Sequence, residues 1–180
     1  SDLVHHYQMA ISTESPFLQY ISFYHILEHF YEKVYNDELI KLIQNEITSP
    51  SFSAKRENDI KKVIKVISTK LLSRNEEYSI DEKEALQITL MRYVNMENVK
   101  CKIKEIDSSL IEYYKKNDVV FSGGQKVNFD DKEIKGLFKN VASRIYLTRN
   151  SIVHSKDTDK PRYMPFKHDK SLVKEIPLIR

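Results

Sequence analysis

Apolar residues recur along this chain at steps of three and four, the spacing of helices packed on one face, rather than at alternate positions. Leu3 to Ile11 reads as a short first helix. Ser15-Pro16 is a start signal: the serine caps exposed N–H groups, and proline's fixed φ suits the first helical position. The helix it opens, about 16–36, sets Phe17, Tyr20, Ile21, Tyr24, Leu27, Tyr31 and Tyr35 on one side. Phe23, Phe30 and Val34 widen that side, so this helix is expected to be central and buried on most faces.

Thr48-Ser49-Pro50-Ser51 breaks the pattern. A helix over about 54–73 comes next, with Ile60, Val63, Ile64, Ile67 and Leu71 inward and Lys55, Lys61, Lys62 and Lys65 mostly outward. Asp81 caps the next one, with Glu84 as its capping-box partner. Ile103, Ile106, Leu110, Ile111 and Tyr114 mark the stripe of a further helix. Residues 118–129 change period around Ser122-Gly123-Gly124, which predicts a small hairpin near 119–128 or an ordered loop. Asp130 and Asp131 start the last long helix, with Ile134, Leu137, Phe138, Val141 and Ile145 inward. The fold class is therefore all-α: a bundle of about five to seven helices in a single domain, 1–180.

Composition agrees with that picture. A chain of 180 residues with only 3 Gly and 5 Pro suits long helices better than a turn-rich sheet. No apolar run approaches the ~18 residues of a membrane span. A single cysteine, Cys101, excludes an internal disulfide framework, and no Asn-x-Ser/Thr sequon occurs, so a cytoplasmic location is expected. The start at Ser1 and the last residues, Glu175-Ile176-Pro177-Leu178-Ile179-Arg180, read as the edges of a domain excised from a larger protein. Charge is uneven: residues 139–180 hold ten Lys/Arg against four Asp/Glu, a net +6, while the remainder is −3. Positive charge gathers where a polyanion would need it.

That basic stretch contains Arg149-Asn150-Ser151-Ile152-Val153-His154, the pattern Arg-Asn-x-x-x-His. The step from Val141 to Ile145 continues to Arg149, which puts the arginine on the core-facing side of its helix or against a partner. Asn150 and His154, four apart, share a face. Arg149 and His154, five apart, diverge by about 140° on an ideal helix. They serve one substrate only where the helix is distorted or ends, or where a two-fold dimer completes the site. The chemistry open to such a pair is cleavage of RNA by its own 2′-hydroxyl. A neutral imidazole takes the hydroxyl proton. A guanidinium holds the phosphate by parallel hydrogen bonds and stabilises charge growing on its oxygens, while Asn150 orients the phosphate or the ring. No metal or other cofactor is required. The competing structural reading has Arg149 paired with a core carboxylate and His154 favoured by the dipole at a helix C-terminus.

The motif at the end of a late helix, together with the early segment Pro16-Phe17-Leu18-Gln19-Tyr20-Ile21-Ser22-Phe23-Tyr24-His25-Ile26-Leu27-Glu28-His29-Phe30, resembles the HEPN superfamily. The likeness is strongest to HEPN domains of bacterial abortive-infection and other defence proteins, and Arg162-Tyr163-Met164-Pro165-Phe166 also resembles the segment C-terminal to the motif in that group. Both ends of the chain carry the likeness; about 45–130 matches only in helical character. The resemblance implies a dimeric helical bundle acting as a metal-independent endoribonuclease, often joined to or paired with a sensor or regulatory domain. Its catalytic arginine and histidine fall on Arg149 and His154, and its polar position on Asn150. Some members have lost activity and serve as dimerisation or nucleotide- and RNA-binding modules, which is the rival reading here.

Lys156, Lys160, Arg162 and Lys167 come after the motif on a loop and are the candidates for phosphate contacts with RNA. Tyr20, Tyr24, Tyr31 and Tyr35, at helical spacing, read as core or interface rather than as a stacking platform for bases. A second pattern, His25-Ile26-Leu27-Glu28-His29, has the His-x-x-Glu-His form of an inverted zinc-peptidase motif, with Glu97, Glu105 or Glu112 as nominal third ligand. Its usual setting is a helix beside a sheet, which this chain does not predict. Glu28 then draws attention for another reason. A carboxylate on so apolar a helix needs a cationic partner when buried, and it is expected to support Arg149 or His154.

Overall fold

The computed structural model of the chain describes residues 2–72, 82–153 and 162–180. Those residues form eight helices and no strand: α1 (Asp2–Ser12), α2 (Pro16–Ile47), α3 (Glu57–Leu72), α4 (Glu82–Tyr93), α5 (Met96–Ile106), α6 (Ser109–Lys116), α7 (Ile134–Val153) and α8 (Asp169–Ile179). The all-α expectation holds. None of these helices is long and apolar enough to cross a membrane.

The start signal works as read, with the Ser15 side chain accepting from the Leu18 N–H and Pro16 opening α2. From there α2 runs 32 residues, well past the expected end near 36, because nothing between Asn36 and Thr48 breaks the backbone ladder. It is the central strut, with α1, α3, α4, α7 and α8 all packed on it. Tyr20, Phe23, Tyr24, Tyr31, Val34 and Tyr35 are buried along it.

One core cluster joins Tyr24 and Tyr31 of α2 to Leu86, Ile103, Tyr114, Val141 and Ile145. The other gathers Ala10, Tyr20, Phe23, Phe121, Ile152, Leu172 and Ile176. Both lie against α2 and α7, so the two helices that carry the candidate residues also carry the core.

Several expectations are corrected. The stripe read through Ile103–Tyr114 is two helices, because Asp107 accepts from both the backbone and the hydroxyl of Ser109 and turns the chain, leaving Ile106 exposed. Asp130 and Asp131 precede α7 instead of starting it. Asn128 caps the Asp130 N–H and Asp131 caps the Glu133 N–H, so the helix opens later and Ile134 is exposed. Ile60 and Ile64 of α3 are exposed as well, on a helix whose principal contact is α2.

The segment 118–129 takes the ordered-loop form. The Val119 and Gly124 backbones bond at 2.7 Å, Gly123 adopts φ +68°, and Val119, Phe121, Val127 and Phe129 are buried. Hairpin pairing is replaced by a side chain. Arg144 Nη1 donates to the carbonyls of Asn117 (2.8 Å) and Gln125 (2.9 Å), satisfying from α7 oxygens that a ladder would otherwise engage. Finally, α7 is not the last helix. Residues read as a terminal edge form α8, which buries Leu172, Glu175, Ile176 and Leu178.

Candidate functional site

Arg149 lies in the penultimate turn of α7, four residues beyond buried Ile145, and its side chain is 15 % exposed. The guanidinium sits over the Tyr24 ring at 5.1 Å. Nη2 donates to Glu28 Oε1 at 3.0 Å, Nη1 donates to Asn150 Oδ1 at 3.1 Å, and Glu82 Oε2 of α4 stands 3.3 Å from Nη1. Three helices thus position one cation. Tyr24 and Glu28 come from the same face of α2, four residues apart.

Glu28 is shared. Its Oε1 meets Arg149 while its Oε2 lies 2.6 Å from His25 Nδ1. The His25 ring packs on His6 of α1 with centroids 4.9 Å apart. The result is a continuous polar run, His6, His25, Glu28, Arg149, Glu82, across α1, α2, α7 and α4, at the rim of an otherwise apolar seam. Burial raises the phenol pKa of Tyr24 above its ordinary value, so that side chain offers Arg149 a neutral ring face.

A second arginine on α7 provides a contrast. Arg144 has no exposed surface. It forms a two-point pair with Glu175 of α8, Nε to Oε2 at 2.7 Å and Nη2 to Oε1 at 2.8 Å, beside its two loop carbonyls. The Tyr113 and Tyr114 rings flank it, and Tyr113 Oη donates to Glu175 at 3.1 Å. Burial works against its charge, but Glu175 outweighs that and leaves the guanidinium above its ordinary pKa. This pair is structural: it ties α7, α8 and the 117–125 loop together. Nothing in the sequence marked it, since Arg144 stands in the run Val141-Ala142-Ser143-Arg144-Ile145 with no partner at helical spacing.

Of the residues singled out from sequence, Arg149, Asn150 and Glu28 come together. His154, Lys156 and Lys160 lie outside the described residues. Arg162 is half-buried and Lys167 is exposed. Both belong to a tightly built turn that returns to the end of α7, where the Tyr163 N–H donates to Ser151 O at 3.3 Å. Asp169 accepts from Tyr163 Oη (2.5 Å) and from the Phe166 N–H (3.0 Å), and Phe166 itself is 93 % exposed with φ +66°. His25 and Glu28 pair with each other rather than converging with a further ligand, and His29 is exposed against Phe30. Among the described residues no group of three or more His, Cys, Asp or Glu side chains is placed to hold a metal ion. Sequence reasoning named His25 only within the zinc-like pattern and missed Glu82 altogether. The i,i+3 pairing of His25 with Glu28 was visible as spacing, whereas Glu82, from another helix, had no local signal.

Comparison of the chain with protein-family models, with curated proteins and with solved structures finds no match to any of the three.

Proposed function

We propose that this chain is the RNA-cutting domain of a bacterial defence or toxin-like system, a metal-independent endoribonuclease of HEPN type that works as a homodimer. The observation that carries the reading is the state of Arg149. Arg144, five residues earlier, has its charge fully absorbed by the core. Arg149 is instead held at the rim by Glu28 and Asn150, with some of its surface open, as an arginine that must receive a phosphate should be.

In this reading the Arg149 guanidinium neutralises charge on the phosphoryl oxygens as the 2′-oxygen attacks phosphorus. His154 acts in proton transfer, and Asn150 keeps the guanidinium in orientation. Glu28 aims the arginine, and the more exposed Glu82 is the contact that an incoming phosphate displaces. Arg162 and Lys167, with Lys156 and Lys160, supply backbone contacts to the strand. The motif's five-residue spacing favours a site completed across a two-fold seam. A sensor or regulatory domain, in the same or a paired protein, is the expected source of control.

One observation favours the alternative, a silent RNA-binding or dimerisation module: Arg149 has two carboxylates within 3.3 Å, enough to neutralise it in place. The purified chain incubated with RNA and excess chelator separates the two. The ribonuclease reading expects cleavage products that persist with chelator and vanish in His154→Ala and Arg149→Ala. Intact RNA with every protein, at concentrations where the chain binds it, selects the silent module.

A further inference from the structure

Cleavage through the 2′-hydroxyl moves two protons. The 2′-oxygen loses one as its bond to phosphorus forms, and the 5′-oxygen gains one as its bond to phosphorus breaks. The products are a 2′,3′-cyclic phosphate and a 5′-hydroxyl, with no redox partner involved. A single imidazole enters each turnover either protonated or not, so it serves one end of the reaction at the start. A second proton-transfer group is needed close to the arginine.

Among the described residues, the groups that face this point are His6 from α1, Tyr24, His25 and Glu28 from α2, Glu82 from α4, and Arg149 and Asn150 from α7. Glu28 already accepts from a guanidinium and an imidazole, and Glu82 is paired with Arg149. Tyr24 lies under the guanidinium as a buried ring, Asn150 does not titrate, and the His6 Nδ1 is buried behind His25. His25 is different. Its side chain is 43 % exposed, its Nδ1 is fixed on Glu28 at 2.6 Å, and its ring plane is set by His6. A ring nitrogen hydrogen-bonded to a carboxylate carries the proton in either charge state, which leaves Nε2 as the working atom.

We propose that His25, held by Glu28 beside Arg149, is the second proton-transfer group of this site and gives its Nε2 proton to the departing 5′-oxygen. The inference rests on the ribonuclease reading above. Glu28 fixes the orientation of the ring, and the same carboxylate fixes the guanidinium that neutralises the phosphoryl oxygens. One α2 side chain therefore sets the proton donor and the charge stabiliser at a constant offset. The His25-x-x-Glu28 half of the zinc-like pattern is then explained without a metal, as an i,i+3 dyad on one helix face.

The test is a pH–rate profile on a short RNA for wild type and His25→Ala, paired with a substrate whose bridging 5′-oxygen is replaced by sulfur. A thiolate leaves without being protonated. On the ordinary linkage, His25→Ala is expected to lower kcat by roughly 10²- to 10⁴-fold, with KM changed less than about threefold. The variant's profile loses the falling limb at high pH, the limb that reports deprotonation of the acid. On the sulfur linkage it cuts within about tenfold of wild type. Glu28→Gln, which keeps the volume but removes the charge and one of the two acceptor oxygens, slows both substrates. An equal loss on both linkages with an unchanged pH profile would make His25 a packing residue and overturn the proposal. So would wild-type rates in His25→Ala while His154→Ala is dead, which leaves the ribonuclease reading standing. A wild-type chain that cuts neither linkage removes both.

Discussion

Arg144 has no exposed surface and meets a carboxylate, two carbonyls and two aromatic rings, while Arg149, on the same helix, keeps part of its surface at the rim. The difference is energetic as well as visual. Arg144→Met leaves the Glu175 carboxylate buried without its counter-ion and is expected to cost about 3–5 kcal/mol of stability. Arg149→Met breaks a rim pair whose carboxylate keeps His25 and is expected to cost about 1 kcal/mol or less. Denaturant titration of the two variants checks this, and equal losses would make Arg149 as structural as Arg144. The pairing of Arg149 with Glu28 was within reach of the sequence, because an acidic residue on so apolar a helix requires a cation. The identity of the cation was one of two choices, since both motif residues can carry positive charge. Glu82 was not within reach, because a contact between α4 and α7 leaves no trace in either segment.

Among the elements, those with a capping signal and an unbroken stripe were legible, and α1, α2 and the body of α7 follow the 3.6-residue period. Periodicity identifies a helix's apolar face but not whether anything covers it, which is why Ile60, Ile64 and Ile134 point to solvent against expectation. α8 was overlooked because the residues from Glu175 on were read as the edge of a domain, although Leu172, Ile176 and Ile179 are spaced as a stripe. The turn between α2 and α3 depends on one buried carboxylate. Asp59 accepts from the Ser53 N–H at 3.0 Å and pairs with Lys62 (3.2 Å) and Arg56 (2.8 Å). The Ser53 hydrogen bond, aided by Lys62 and Arg56 against the cost of burial, holds the Asp59 carboxyl below its ordinary pKa. A carboxyl depressed in the folded state adds stability that is complete above its unfolded pKa and is lost as pH falls through the folded one. Asp59→Asn is therefore expected to melt below wild type at pH 7, with the gap closing as pH drops below about 4. Melting curves across that range check the sign.

For the whole molecule, the bundle was predictable and its assembly was not. A helical architecture follows from local pattern, whereas the partner surface depends on which apolar faces the chain leaves open. A composite site makes a sharp statement about a dimer. If Arg149 of one copy serves His154 of the other, mixing Arg149→Ala with His154→Ala restores one intact site in each mixed dimer, about a quarter of wild-type activity at equal amounts. Each variant alone should be inactive. A mixture that stays inactive after subunits have exchanged would place both groups within one copy.

The Arg144–Glu175 pair also constrains how the chain is made. A nascent polypeptide that has delivered α7 but not residue 175 carries a cation where the interior has to close, with no anion yet synthesised to meet it. The 117–125 loop cannot settle around that guanidinium without burying an uncompensated charge. Closure of this half of the bundle therefore waits for α8 to clear the ribosome, and the arginine-bearing helix acquires its final setting only then.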